Sequence, residues 1–350
     1  MRRILLWTAA VLTVLTPAAL EAQTAISSRA ASITIGGRLH TQYQGSSVDG
    51  AVNDFFIRRA RVIVDAAFND FFVGRVQTDF AGGGATLLDA YVRMNIDPAF
   101  RLYVGQFKRS FDLFELHSST DLSIFERDGR IPGFSSCTGV GRVCSLSRLT
   151  ETLGYAGRDS GIKIDGSSGT FMYQASLTNG TGVGTPDVND GKSASFRAGV
   201  AASENLTVSA NVGTQDYLFA GETENAFAWG ADVEWGTWRD GLHLTAAIAG
   251  VANWPALDTN NDPREFLAFQ VLGSLYQPLD GERIVGIEPV LRISVADPAD
   301  DIDDDGGTLI TPGLMLYLMG KNKIGANFDY YMPQTGDSEF VFRVGTFLYF

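Results

Sequence analysis

Long apolar runs are absent from this chain of 350 residues. Beyond the N-terminus no stretch of 18 or more apolar residues occurs, which excludes a bundle of transmembrane helices. Two cysteines and three histidines leave little for a disulfide scaffold or a zinc centre. Basic residues are in the minority, 27 against 40 acidic, and the formal charge of −13 argues against a nucleic-acid partner. No Gly-x-Ser-x-Gly motif is present. The glycine run at 81–85 follows a strand pattern but precedes no helix pattern, so it is not a phosphate-binding or dinucleotide motif. What is abundant is glycine (39) and aromatic residues (11%), a composition that excludes disorder.

The first residues read as a secretory leader. Arg2 and Arg3 precede an apolar segment, Ile4 to Leu15, and a small-residue end that predicts cleavage after Ala22. The mature chain, 23–350, reads as a single domain with a charge of −14, from 25 basic and 39 acidic residues. Apolar and polar residues alternate almost throughout it. Val62, Val64, Ala66 and Phe68 alternate with Arg61 and Asp65; Leu88, Ala90, Val92 and Met94 alternate with Asp89, Tyr91 and Arg93. Sixteen such segments run from 33–44 to 339–350, many about ten residues long, the length a tilted strand needs to cross a bilayer. Their connections sort by parity. Asn69-Asp70, 97–99, Ser203-Glu204, Arg239-Asp240 and Gly320-Lys321 are tight turns, whereas 45–53, 179–193, 214–225, 251–263 and 296–306 are expected to be long loops. This predicts an all-β, closed, antiparallel transmembrane β-barrel in the outer membrane of a Gram-negative-type bacterium, facing lipid and lipopolysaccharide. The last segment ends on Phe350 and has to pair with the first, because an open strand edge is not tolerated in lipid.

Several stretches resemble the phosphate-selective porin O/P family. They include 56–61 (Phe-Ile-Arg-Arg-Ala-Arg), 88–91 (Leu-Asp-Ala-Tyr), 104–108 (Val-Gly-Gln-Phe-Lys), Phe111, 119–122 and 125–127 (Phe-Glu-Arg). Further on, 158–161, Tyr173, Asn179-Gly180, Asn189, 288–292 and the terminal strand also match, so the resemblance spans nearly the whole mature chain. It implies a trimeric, sixteen-stranded porin that lines its lumen with cations and passes anions such as phosphate.

Charge is divided unevenly along the chain. Residues 23–163 carry 16 basic and 14 acidic residues, while the remainder carries 9 and 25. Sequential strands are neighbours in a barrel, so the cations collect on one arc of wall. Strand parity turns Arg38, Arg59, Arg61, Arg75 and Arg93 toward the lumen, with Lys108 at the end of the next strand. Arginine outnumbers lysine 22 to 5, and a guanidinium grips phosphate or carboxylate bidentately. Two readings stand: an anion-selective wall, or arginines that brace the barrel through Asp65, Asp79 and Asp89. On parity, Asp65 and Asp79 are expected nearer the short-turn end.

The longest connection, 110–158, is placed to fold into the lumen and bring Arg127, Arg130, Arg142 and Arg148 to a constriction. It lacks a dense Lys/Arg cluster at 129–137, which leaves phosphate specificity and general anion preference both open. In an oxidising compartment Cys137 and Cys144 are expected to pair. The acidic stretches 258–262 and 300–306 offer oxygen ligands but lack the flanks of a calcium loop, so no metal site is expected. His40, His117 and His243 read as isolated histidines. No catalytic residue and no cofactor are implied, and the chain reads as a channel rather than an enzyme.

Overall fold

A computed structural model describes residues 32–350; the expected leader at 1–22 lies outside the described residues. The strands are β1 (Ser32–Ser46), β2 (Asp54–Ala67), β3 (Phe72–Asp79), β4 (Thr86–Asp97), β5 (Phe100–Lys108), β6 (Arg158–Ser168), β7 (Phe171–Thr178) and β8 (Ser193–Ser203). They continue with β9 (Leu206–Phe219), β10 (Glu222–Thr237), β11 (Asp240–Leu257), β12 (Pro263–Leu275), the two-residue β13 (Gln277–Pro278), β14 (Gly286–Asp297), β15 (Gly307–Met319), β16 (Asn322–Pro333) and β17 (Glu339–Tyr349). Apart from the short β13 they form a closed, antiparallel barrel of sixteen strands. The seam is β1 against β17, from Arg38 opposite Tyr349 to Ser46 opposite Val341. Closure pairs the backbone of the first and last strands, as a lipid environment demands.

Alternation becomes an inside-out pattern. Along β14, Glu288, Val290, Arg292 and Ser294 are buried toward the lumen, while Leu291, Ile293 and Val295 point outward and are exposed. An apolar outer face is what acyl chains solvate. At the seam, Gly37 lies beneath the terminal Phe350, whose carbonyl oxygen accepts a hydrogen bond from the Gly37 N–H (2.9 Å).

The connections sort by side, with two departures. The expected long loop at 214–225 is instead strand. β9 and β10 run on to a two-residue turn, Ala220-Gly221, with φ of 51° and 90°, the positive pair that a tight hairpin requires. Of the polar residues that read as loop, Gln215 is a buried lumen-facing position opposite Ala226, and Asp216 is buried on the other face, where its carboxylate accepts a hydrogen bond from the Ser193 hydroxyl (2.6 Å). Conversely 276–285, on the short-turn side, is ten residues long and includes β13. The expected loop at 251–263 shortens to 258–262 because β11 extends to Leu257.

One β-bulge matters for the site. Between β1 and β2 the register passes from His40 opposite Arg59 to Thr41 opposite Ile57, so Arg58 has no partner residue. An extra residue locally re-aims side chains.

The connection between β5 and β6 carries two short helices, α1 (Leu113–Leu116) and α2 (Leu146–Thr152). It folds into the barrel and packs its apolar residues, among them Phe111, Ile131, Val143, Leu149 and Tyr155, against Ala228, Val251, Phe266, Leu309, Tyr331 and Val341 of the wall. These wall residues lie on β10 to β17. There the lumen face of the barrel carries an apolar cluster that forms a seat for the loop.

Candidate pore constriction

Hydrogen bonds fasten the loop to the same arc. The Arg292 guanidinium on β14 donates to the carbonyl oxygens of Glu126 (2.9 Å) and Arg127 (2.5 Å). The Arg343 guanidinium on β17 donates to the carbonyl oxygen of Arg130, and both arginines share Asp329 on β16 as counter-ion. The side-chain amides of Asn253 and Asn327 and the Trp254 indole engage Thr138, Phe125 and Leu153 of the loop at 3.1 Å each. Ser294 accepts the Leu146 N–H at 3.1 Å. The loop therefore fills the lumen on the side of β8 to β17.

What stays open between the loop and the opposite wall includes a cavity of about 540 Å³. Its strand residues come from β1 to β7: Arg38, Arg58, Arg59, Arg61, Arg75, Gln77, Leu88, Asp89, Tyr91, Phe107, Lys108, Arg158, Lys163 and Gln174. The loop adds Arg127, Arg130 and Arg142 together with Glu115, Glu126, Asp128 and Glu151. Eleven basic residues thus face five acidic ones.

These cations are not equivalent. Arg61 pairs with Asp79 at 2.6 Å, Arg75 with Asp65 at 2.7 Å, and Arg158 with Asp89 at 2.6 Å. Asp79 sits directly opposite Arg61 in register, at the long-loop end of β3, and not toward the short turns as parity counting had it. Glu126 bridges Arg58 (2.5 Å) and Arg130 (3.1 Å), Glu115 approaches Arg127 (3.7 Å), and Asp128 pairs with Arg142 (3.2 Å). Among the described residues no ion pair holds Arg38, Arg59, Lys108 or Lys163. Arg38 donates to the Ser119 hydroxyl, and a guanidinium nitrogen of Arg59 lies 3.3 Å from His40 Nδ1. The Lys108 ammonium donates to loop carbonyl oxygens, including that of His117 at 2.8 Å. Lys163 stands over the Tyr103 ring at 4.5 Å. The Nε atoms of Arg38 and Arg59 and the amide of Gln42 are buried with no hydrogen-bond partner among the described residues.

Of the residues singled out from the sequence, Arg38, Arg59, Arg61, Arg75, Lys108, Arg127, Arg130 and Arg142 come together at this channel. Arg93 does not line it. It opposes Tyr103 on β5, nearer the short-turn end of the barrel, with its guanidinium 5.9 Å from that ring's centre. Arg148 also departs from expectation: it donates to the carbonyl oxygens of Val140 and Gly141 inside the loop. Cys137 and Cys144 are joined by a disulfide with Cα atoms 5.1 Å apart. His117 and His243 are not isolated, since both approach the same oxygen of Glu234, at 3.2 and 2.9 Å. The parity reading missed Arg58, because only the bulge turns it inward beside Arg59; the Arg58-Arg59 dipeptide was the available signal. It also missed Glu126, Arg158 and Lys163.

Within the loop, burial pushes the Asp112 carboxyl up to about 7, and nearby Glu115 adds to this. Glu151 is raised to about 7 by the charge of Glu115 and by burial.

A closed sixteen-stranded barrel with an apolar belt and a charged lumen narrowed by its own loop defines an outer-membrane channel for passive diffusion. The chain belongs to the phosphate-selective porin O and P family, whose sequence model matches residues 33–341. Solved porin structures share the fold. OmpT of Vibrio cholerae lacking loop L8 superposes with a TM-score of 0.62 at 15% identity, over 91% of this chain and 99% of that one. OmpF of Salmonella typhi, in complex with daunomycin, gives 0.61 at 12% identity over 93% and 99%. The outer membrane channel DcaP of Acinetobacter baumannii gives 0.60 at 12% over 93% and 99%. No curated protein sequence matches the chain.

Proposed function

We propose that this porin passes small hydrophilic solutes down their gradients with a preference for anions, phosphate among them. The observation that carries this reading is the sorting of the lumen. The loop covers the arc β8 to β17 and leaves the passage against β1 to β7, where cations exceed carboxylates eleven to five. Arg38, Arg59 and Lys108 have no carboxylate partner there, so their fields stay available to a passing anion. Cations focused in a narrow, low-dielectric passage raise the local anion concentration. The functional unit is proposed to be a homotrimer in the outer membrane, reached after a leader is cleaved behind Ala22. The disulfide is proposed to stiffen the loop.

The test is the reversal potential of purified channels in a planar bilayer under a potassium chloride gradient. A potential on the anion side supports the reading. A potential at zero or on the cation side establishes a general or cation-preferring porin instead. Phosphate is tested separately, as a block of chloride current at millimolar concentration.

A further inference from the structure

The two mouths of the barrel differ in charge. Leaving aside the loop inside the lumen, the connections on the long-loop side are 47–53, 80–85, 179–192, 220–221, 258–262, 298–306 and 334–338. They contain eleven aspartates and a single basic residue, Lys192, a net charge of −10. Five of the aspartates fall in 300–305, and Asp300, Asp301, Asp303 and Asp304 are exposed. The connections on the other side, 68–71, 98–99, 169–170, 204–205, 238–239, 276–285 and 320–321, hold four acidic and three basic residues, a net charge of −1. Between the mouths lies the constriction, with its excess of six positive charges.

We propose that this series arrangement, a negative outer vestibule directly above a positive constriction, makes the channel an ionic rectifier that carries more current when the long-loop side is positive. The inference rests on the anion-preferring constriction proposed above, and it requires no ion bound at a fixed position. A vestibule lined with carboxylates admits cations and rejects anions; a constriction lined with guanidinium and ammonium groups does the reverse. With the long-loop side positive, cations enter through the zone that admits them, and anions arrive from the opposite mouth through theirs. Both accumulate where the zones meet, and conductance rises. With the polarity reversed, each ion first meets the zone that rejects it, the junction is depleted, and conductance falls. The effect needs fields that reach across the lumen. The screening length is about 10 Å at about 0.1 M salt and about 3 Å at about 1 M, so rectification is a low-salt property. The near-neutral inner mouth gives no opposing second junction.

The experiment records single-channel current against voltage in symmetric potassium chloride, beside the reversal potential in a gradient. At about 0.1 M the two polarities should differ on the order of twofold, and at about 1 M the difference should nearly vanish. Millimolar magnesium added to one chamber should abolish rectification only when that chamber faces the long loops, which also identifies the side. Replacing Asp300, Asp301, Asp303 and Asp304 together by Asn, four of the eleven aspartates, should lower the ratio measurably toward one while the reversal potential stays on the anion side. Currents that are symmetric at low salt, or magnesium effects equal from both sides, overturn the rectifier and leave the anion reading standing. A reversal potential on the cation side overturns the anion reading and the rectifier with it.

Discussion

Arg59 and His40 face each other across the β1–β2 pair, with a guanidinium nitrogen 3.3 Å from the imidazole Nδ1 and no carboxylate bonded to either. Two residues along β2, Arg61 is neutralised by Asp79. The two arginines, adjacent on one face, therefore have different duties, and their single variants should separate.

Arg59→Ala, and Arg38→Ala beside it, should move the reversal potential toward cations by removing uncompensated charge, with little loss of assembled protein. Arg61→Ala should instead leave Asp79 without its partner. Breaking a buried pair costs about 3–5 kcal/mol at most, and the partial exposure of this pair lowers that figure. The comparison is made by reversal potential together with the temperature at which the folded band is lost in SDS gels. A larger selectivity change in Arg61→Ala than in Arg59→Ala would contradict this assignment.

Among the described residues, Glu126 is the one carboxylate holding both Arg58 of the wall and Arg130 of the loop. Glu126→Gln should free two guanidinium groups in the passage, shift selectivity further toward anions and loosen the loop, seen as noisier open-channel current. Quiet current with unchanged selectivity would mean that this bridge does not set the passage.

The loop should hold its packing better in acid than at alkaline pH. Asp112 is buried, accepts hydrogen bonds from the Phe114 N–H (2.9 Å) and the Thr150 hydroxyl (2.6 Å), and has its pKa raised to about 7. A carboxyl that titrates higher in the folded state contributes stability that is fully present below its unfolded pKa, about 4. That contribution is lost as pH rises through about 7. Amide exchange within 110–157 should accelerate over that window, and Asp112→Asn should flatten the response. Asn also tolerates the φ of 62° found at this position.

Reducing the Cys137–Cys144 disulfide should affect the loop and spare the barrel. The bridge closes a short segment, whose constraint is worth about 2 kcal/mol by chain entropy. Barrel melting should be unchanged in the Cys137→Ser/Cys144→Ser variant, while protease nicks the loop faster. A large fall in barrel stability would show that the bridge supports more than the loop.

At the seam, a Cβ on Gly37 would meet the Arg61 carbonyl oxygen at 2.7 Å as well as the Phe350 ring. Gly37→Val should therefore reduce folded barrel in the outer membrane more than deletion of the exposed Phe350 does, as quantified by heat-modifiable mobility.

Most of the barrel was legible because alternation is a local property: each of Leu291, Ile293 and Val295 declares its face through its neighbours. The same locality explains the failures. Gln215 and Asp216 resemble loop residues and are strand residues of a hairpin: Gln215 is polar because it faces the lumen, and Asp216 because it is covered by the neighbouring 179–193 segment. The inward turn of Arg58 depends on a bulge set by pairing with β1, and period-two counting cannot register an inserted residue. The pairing of Arg61 with Asp79 depends on the β2–β3 register, which parity does not specify. The seat of the loop went unread, although Ala226, Ala228, Ala247 and Ala249, small residues of the apolar cluster that also holds Phe111 and Leu149, were its signal in the sequence.

The off-centre seating of the loop gives the passage one stiff bank and one compliant bank. The arc β1 to β7 is a continuous backbone ladder and cannot widen without opening the barrel. The facing surface is held by side-chain contacts such as Arg58 with Glu126 and by hydrogen bonds to loop carbonyl oxygens. A solute too wide for the resting bore would gain clearance from that second bank alone. The upper size limit of the channel is therefore a property of how firmly 110–157 is moored, and its charge preference is a property of the wall that does not move.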